Sequence, residues 1–303
     1  MVRKTSWQPH SESGITIEFV EANGWQFEVA MAGEDPRMRS TDRLALCLHG
    51  FPELHYSWRH QMPMLAELGY GVWAPNMRGY GQTSRPEGIG NYRLHMLVQD
   101  VAALIDASEA RKVTLIAHDW GAIIAWHFAI RKIRPLTNLV IMNVPHPECG
   151  RREIRKWRQL RKSWYIFFFQ LPWLPEKLLA RGRAAPMIDI FRGSAVNKAR
   201  FSDDALKPYR RAANERGALT AMLNYYRALL RFSDAGEVGE AKVDVPTLVL
   251  WGEQDLAIDI HCLDRTEDYV RDLTVRRFPD ASHWVQQDVP EEVNAELRRW
   301  LIG

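Results

Sequence analysis

The chain has 303 residues, 46% hydrophobic and 25% charged, with 19 Gly, 16 Pro and a net charge of +3. That balance excludes a disordered chain, a collagen-like repeat and a disulfide-stapled miniprotein, and the small net charge gives no reason to expect nucleic acid. Cys47, Cys149 and Cys262 are widely spaced and odd in number, which fits a reducing compartment. The first fourteen residues lack the apolar stretch of a secretory signal, and no window reaches ~18 uninterrupted apolar residues. The expectation is a cytoplasmic protein with no spanning helix.

Residues 15–31 alternate in polarity around Asn23-Gly24, the strongest short hairpin signal. Residues 44–50, LALCLHG, form a short apolar run ended by Gly and read as a buried strand. A helix is expected over 54–68, a strand over 69–75, a helix over 92–109, a strand over 112–119, a helix over 120–130 and a strand over 136–144. Strands alternating with helices indicate an α/β fold, a mostly parallel sheet covered on both faces, here opened by an antiparallel hairpin. The alternation stops near Pro145. Residues 148–234 read as helical or irregular, with breakers at Pro172, Pro175, Pro186 and Pro208. It resumes with a strand in 245–255, a helix over 259–270, a strand over 273–279 and a final helix to Leu301. The expected organisation is a core in two parts, 1–145 and 236–303, interrupted by a helical insertion, 146–235.

Charge divides unevenly between these parts. Residues 148–235 hold 19 Lys and Arg against 8 Asp and Glu, which leaves 21 against 29 for the remainder. The excess reads as solvated basic faces of amphipathic helices, because the Arg residues are scattered among aromatics and form no block. Attraction to an anionic membrane or polymer is the sharper alternative.

The informative stretch is Ala117-His118-Asp119-Trp120-Gly121-Ala122, between a strand and a helix. A sharp strand-to-helix turn projects its central residue over the sheet and needs small residues on either side. That is the physical content of the G-x-S-x-G elbow, here with Asp119 at the centre. The bland reading makes Asp119 an N-cap. Three further features favour the elbow. The strand over 44–50 runs into His49-Gly50-Phe51-Pro52, where the Phe51 N–H would supply half of an oxyanion hole, the Trp120 N–H giving the rest. Asp255 follows the strand in 245–255, where a carboxylate can orient an imidazole. His283 lies between the next strand and the last helix. The order Asp119, Asp255, His283 is nucleophile, acid, base. Glu253 is an alternative acid. His49, His118 and His146 read as structural, since none occupies the base position. No H-x-x-x-H or carboxylate cluster suggests a metal, and no G-x-G-x-x-G or Walker loop suggests a nucleotide, so no cofactor is expected.

H-G-F-P-E (49–53), R-G-Y-G-x-x-S (78–84), the H-D-W-G elbow (118–121), V-P-H-P (144–147) and the downstream Asp and His together resemble the epoxide hydrolases of the α/β-hydrolase fold, over nearly the whole chain. The resemblance implies an α/β-hydrolase core carrying a helical lid. It also implies two lid tyrosines that donate hydrogen bonds to the epoxide oxygen. One matches Tyr165, five residues before Gln170; the other matches Tyr226 in Asn224-Tyr225-Tyr226-Arg227. A one-residue shift turns a helical side chain by ~100°, so Tyr225 and Tyr226 are alternatives. Ala117 stands where the family often has Gly, and is still small.

An Asp nucleophile suits displacement at an sp³ carbon. The expected cycle has Asp119 open the epoxide to an alkyl ester, Tyr165 and Tyr226 act as acids, and His283 with Asp255 activate the water that releases a vicinal diol. The substrate is expected to be a small hydrophobic epoxide, in a slot walled by Phe51, Pro52, Trp120 and Trp164, with Phe168, Leu171 and Trp173 as further candidates. Water is the other substrate; nucleic acid and stable membrane insertion are not expected, and monomer and homodimer stay open. The nearest rival is a haloalkane dehalogenase with the same Asp, acid and His, needing a second halide-facing N–H from Trp164 or Trp173. A catalytically dead scaffold would have lost a piece of this set, and a serine esterase would need a G-x-S-x-G that is absent.

Overall fold

Asn23 and Gly24 both take positive φ, 50° and 74°, the geometry of a two-residue hairpin turn. They join β1 (Thr16–Ala22) to β2 (Trp25–Ala32) in antiparallel register, with Ala22 opposite Trp25. The structure is a computed structural model and describes residues 4–33, 42–232 and 241–303. Six further strands follow: β3 (Arg43–Leu48), β4 (Gly71–Pro75), β5 (Lys112–His118), β6 (Asn138–Met142), β7 (Thr247–Gly252) and β8 (Leu273–Phe278). They form one eight-stranded sheet in the order β1-β2-β4-β3-β5-β6-β7-β8. The pairs β1–β2 and β2–β4 are antiparallel and every later pair is parallel.

Alternate residues of the central strands enter different cores. Leu46, Leu48, Leu115, Leu139 and Ile141 pack on one face, while Cys47, Ile116, Val140, Met142 and Leu250 pack on the other. Both faces are covered, which is why these strands read as continuous apolar runs. Parallel pairing has one functional consequence: the C-terminal ends of β3, β5, β6, β7 and β8 lie along one edge, and the segments leaving them meet there.

The helices differ from expectation in places. The span 54–68 holds a 3₁₀ turn, His55–Trp58, and a short helix, Met62–Glu67, with Pro63 in its first turn. No α-helix forms over 259–270; two 3₁₀ turns, Ile260–Leu263 and Thr266–Asp268, flank Arg265 at φ 66°. The last helix is divided into Val285–Asp288 and Pro290–Ile302, because Pro290 keeps Val289 out of the helical region.

Between β6 and β7 the described residues are helical or irregular. The run begins at Pro147–Glu153 and extends to Ala218–Arg231; the expected boundary at 235 falls outside the described residues. One of the expected breakers does not break: Pro208 stands inside the helix Asp203–Ala213. Pro186 does mark an interruption, falling just after a kink at Gly182, Arg183 and Ala184, all at positive φ. This segment is tied to the sheet's loops. The Tyr225 hydroxyl donates to the Arg78 carbonyl (2.7 Å), the Tyr209 hydroxyl donates to Gln287 (3.0 Å), and Arg200 pairs with Glu291 (2.7 Å). Among the described residues no helix is long and apolar enough to cross a membrane.

Candidate active site

Asp119 sits between β5 and the helix Trp120–Ile130 with φ 49° and ψ −120°, a strained conformation for a residue with a Cβ. The turn is tight enough to demand glycine around it. A Cβ on Gly121 would lie 2.3 Å from the Leu48 carbonyl oxygen, and one on Gly50 would lie 2.2 Å from Asp119 Oδ1. The Phe51 N–H donates to Asp119 Oδ1 at 2.6 Å. Trp120 follows directly, in the first helical turn, where backbone N–H groups have no intrahelical partner.

His283 lies between two carboxylates. Its Nδ1 is 2.7 Å from Asp255 Oδ2, and its Nε2 is 3.5 Å from Asp119 Oδ2. Asp255 is fixed in turn: its Oδ1 accepts from the N–H groups of Ala257 (2.7 Å) and Ile258 (2.9 Å). Glu253, the alternative acid, points elsewhere and pairs with Arg277 at 2.8 Å.

Asn143, at the end of β6, had drawn no attention in the sequence. Its Nδ2 donates to Asp255 Oδ2 (2.9 Å) and its Oδ1 accepts from the Gly252 N–H (2.9 Å), joining β6 to β7 at the acid. It takes φ 51°, and Asn is among the few residues that tolerate the left-handed region. An Asn closing an apolar strand was the available signal. Asn143→Ala removes a donor to a buried carboxylate, worth about 1.5–3 kcal/mol. The expected outcome is a kcat lower by roughly 10- to 100-fold, measured by steady-state turnover against thermal melts.

Glu53 is the second residue that the sequence reading did not single out. Its buried carboxylate accepts from Gln286 (3.0 Å) and Gln287 (2.9 Å) and faces His118 Nδ1 at 2.6 Å. His118 Nε2 is 2.8 Å from the His283 carbonyl oxygen. His118 thus connects the elbow strand to the loop bearing His283. His49 is held by the Gly50 carbonyl (2.9 Å) and accepts from the Met77 N–H (3.0 Å); burial holds its pKa down, to about 4. His146 stacks on Tyr269, ring centroids 4.8 Å apart.

Burial opposes charge throughout the site, and the charges prevail. It would raise Asp119 and Asp255, but His283 leaves both below the ordinary carboxylate range. It would lower His283, but Asp255 and Asp119 raise it well above an ordinary imidazole. Loss of the Asp119 charge must therefore bring His283 down. In Asp119→Asn the His283 pKa, followed by ring-proton NMR, is expected to fall relative to wild type. The stability that this ion contributes is complete below the unfolded pKa of ~6.5 and is lost as pH rises through the folded value.

Two cavities of about 350 and 380 Å³ reach Asp119, and Tyr165 and Tyr226 line both. The first also has Phe51, Phe168, Trp284, Lys162 and His283; the second has Trp120, Trp126, Ile123 and Ile258. The Tyr226 ring stands edge-on to Tyr165 (5.9 Å), Phe51 (5.3 Å) and Trp120 (5.1 Å). Burial and the Asp119 carboxylate push both tyrosine hydroxyls well above their ordinary pKa, so they stay protonated at neutral pH. Tyr225, one residue away, turns its hydroxyl to the Arg78 carbonyl instead. Three expected wall residues are elsewhere. Pro52 is buried but lines neither cavity, while Leu171 and Trp173 are exposed to solvent. Trp164 lines the first cavity only at its largely exposed mouth. Among the described residues no three His, Cys, Asp or Glu side chains gather as metal ligands would.

A sheet that delivers an elbow residue, an acid and a histidine to one edge in that chain order is the architecture of α/β hydrolases. Residues 46–290 match the family model for the α/β hydrolase fold, and the chain belongs to that family. It is 36% identical to the AB hydrolase superfamily protein YfhM of Bacillus subtilis, over 95% of this chain and 98% of that one. It is 38% identical to epoxide hydrolase 3 of Xenopus tropicalis, over 85% of this chain and 71% of that one. A crystal structure of Bacillus megaterium epoxide hydrolase with an inhibitor matches it at a TM-score of 0.84 and 29% identity, covering 94% of this chain and 100% of that one.

Proposed function

We propose that the chain is an epoxide hydrolase in which Asp119 is the nucleophile, Asp255 and His283 form the charge pair that activates water, and Tyr165 and Tyr226 are the acids. The observation that carries this reading is the pair of protonated tyrosines lining the same cavities as the strained carboxylate. Displacement at an epoxide carbon generates a basic alkoxide, which needs a proton donor on the side opposite the nucleophile. Halide departure needs none, and the dehalogenase alternative is not favoured. It would need a second buried indole N–H, whereas Trp164 and Trp173 are largely exposed.

In the first half of the cycle Asp119 Oδ2 attacks an epoxide carbon, the C–O bond breaks, and the alkoxide takes the proton of Tyr165 or Tyr226. The product is an alkyl ester whose carbonyl oxygen is Oδ1, the atom already held by Phe51 N–H. Esterification neutralises Asp119 and removes one of the two charges that keep His283 protonated. The imidazolium then passes its proton to the tyrosinate left by ring opening, and the neutral imidazole takes a proton from water as that water attacks Asp119 Cγ. The tetrahedral oxyanion is held by the Phe51 and Trp120 amides. Collapse expels the diol oxygen, which takes the imidazolium proton, and the proton of the new carboxylic acid passes to His283, restoring the Asp119 carboxylate and the imidazolium. Segment 146–235 acts as the lid over the core parts 1–145 and 236–303, and the apolar walls suit a small hydrophobic epoxide. The buried, unpaired cysteines support a cytoplasmic setting.

Single turnover in ¹⁸O-water with enzyme in excess tests the route. The diol is expected to form unlabelled and the label to enter the Asp119 peptide. Label in the first diol formed would mean that water attacks the epoxide directly.

A further inference from the structure

From residue 154 to residue 173 the chain presents apolar side chains to solvent at helical spacing: Ile154, Trp157, Leu160, Trp164, Phe167 and Leu171, followed by Trp173. Such a stripe normally faces a core. Here Trp157 is 72% exposed, Trp164 62%, Phe167 54% and Trp173 67%. Isolated exposed leucines need no explanation, but three tryptophans and a phenylalanine within seventeen residues form a patch that asks for a partner.

Charge identifies the partner. Residues 151–162 hold seven Lys and Arg against one carboxylate, Glu153. Glu153 is already shared by Arg152 and Lys156, each at 2.8 Å, and Arg151 pairs with Glu148. Arg155 and Arg161 are exposed and have no carboxylate partner among the described residues. A second copy of this chain would bring like charge against like charge. A protein partner would need a hollow for its anchoring side chains, yet Trp157, Phe167 and Trp173 line neither cavity described above. Interleaved tryptophans and arginines are what the headgroup region of an anionic bilayer accommodates, the rings at the interface and the cations on lipid phosphates.

We propose that residues 154–173 and their flanking arginines dock this protein peripherally on anionic lipid membranes. The mouth of the first cavity, marked by Trp164, Lys162 and Leu256, opens within this patch, so a lipophilic epoxide dissolved in the bilayer would enter without crossing water. Docking itself does not depend on the catalytic reading, and the experiment reads it without substrate.

The test is co-sedimentation of the full chain with large vesicles of phosphatidylcholine alone or of equal parts phosphatidylcholine and phosphatidylglycerol. Binding is expected to the anionic vesicles only, weakening as salt is raised, with a blue shift of tryptophan emission. Arg155→Gln/Arg161→Gln is expected to lower partitioning by roughly 30-fold. Trp157→Ser/Trp173→Ser is expected to diminish the blue shift and lower binding roughly tenfold or more, with thermal melts unchanged. Equal sedimentation with neutral and anionic vesicles, or none with either, overturns the proposal. So does a dimer that the tryptophan changes dissolve, which would make a second copy the occupant.

Discussion

Asp119→Ala is expected to lower kcat/KM for an epoxide by roughly 10⁵-fold or more, the scale on which removing a covalent nucleophile acts. No other carboxylate can substitute. Asp255 accepts three hydrogen bonds besides its contact with His283, and Glu53 is enclosed by His118, Gln286 and Gln287. The fold will survive the change. The Phe51 N–H loses its acceptor, a cost of about 1–3 kcal/mol against a domain stability of about 5–15 kcal/mol. A thermal melt close to wild type alongside lost turnover separates chemistry from unfolding. A loss below about tenfold would remove Asp119 from the role assigned to it.

Tyr165→Phe/Tyr226→Phe is expected to slow ester formation by roughly 10²–10⁴, the range of a positioned general acid. Each single change is expected to cost less than half of that in log units, because the remaining hydroxyl still reaches the oxygen and the effects are coupled. The rings keep their edge-on contacts with Phe51, Phe169 and each other, so packing stays nearly constant. Tyr225→Phe is the informative contrast. It breaks only the bond to the Arg78 carbonyl and is expected to leave the rate within a few-fold, at a stability cost of about 1 kcal/mol. Stopped-flow tryptophan fluorescence, with Trp120 beside Tyr226, gives the rate of this step directly. A double variant that forms the ester at the wild-type rate would reduce the tyrosines to wall residues.

What could be read from the sequence was local. The hairpin at Asn23-Gly24, the parallel strands and the elbow at Asp119 each depend on a handful of adjacent residues, and chain order was enough to single out Asp255 and His283. Asn143 and Glu53 escaped because their partners are distant: Asn143 meets Gly252 across 109 residues, and Glu53 meets His118 across 65. The helix expected over 259–270 failed on a side chain. Asp259 caps the His261 N–H and starts a 3₁₀ turn, and Arg265 in the left-handed region ends any continuation. Trp173 failed differently: an aromatic near an apolar slot looks like a wall residue until its backbone, at φ 51°, turns it to solvent. The basic excess of 148–235 was visible as a number, but its meaning depended on which side of the helices the aromatics occupy.

The most direct test of the covalent mechanism is the intact mass of His283→Gln protein after incubation with styrene oxide and, separately, with 1-chlorohexane. Without the imidazole the ester has no general base to hydrolyse it. The epoxide is therefore expected to add its full mass, mapped by peptide sequencing to Asp119, while the chloroalkane leaves the protein unchanged. An adduct from the chloroalkane alone, lighter than the reagent by HCl, or no adduct from either, would contradict an Asp119 ester as the path from epoxide to diol.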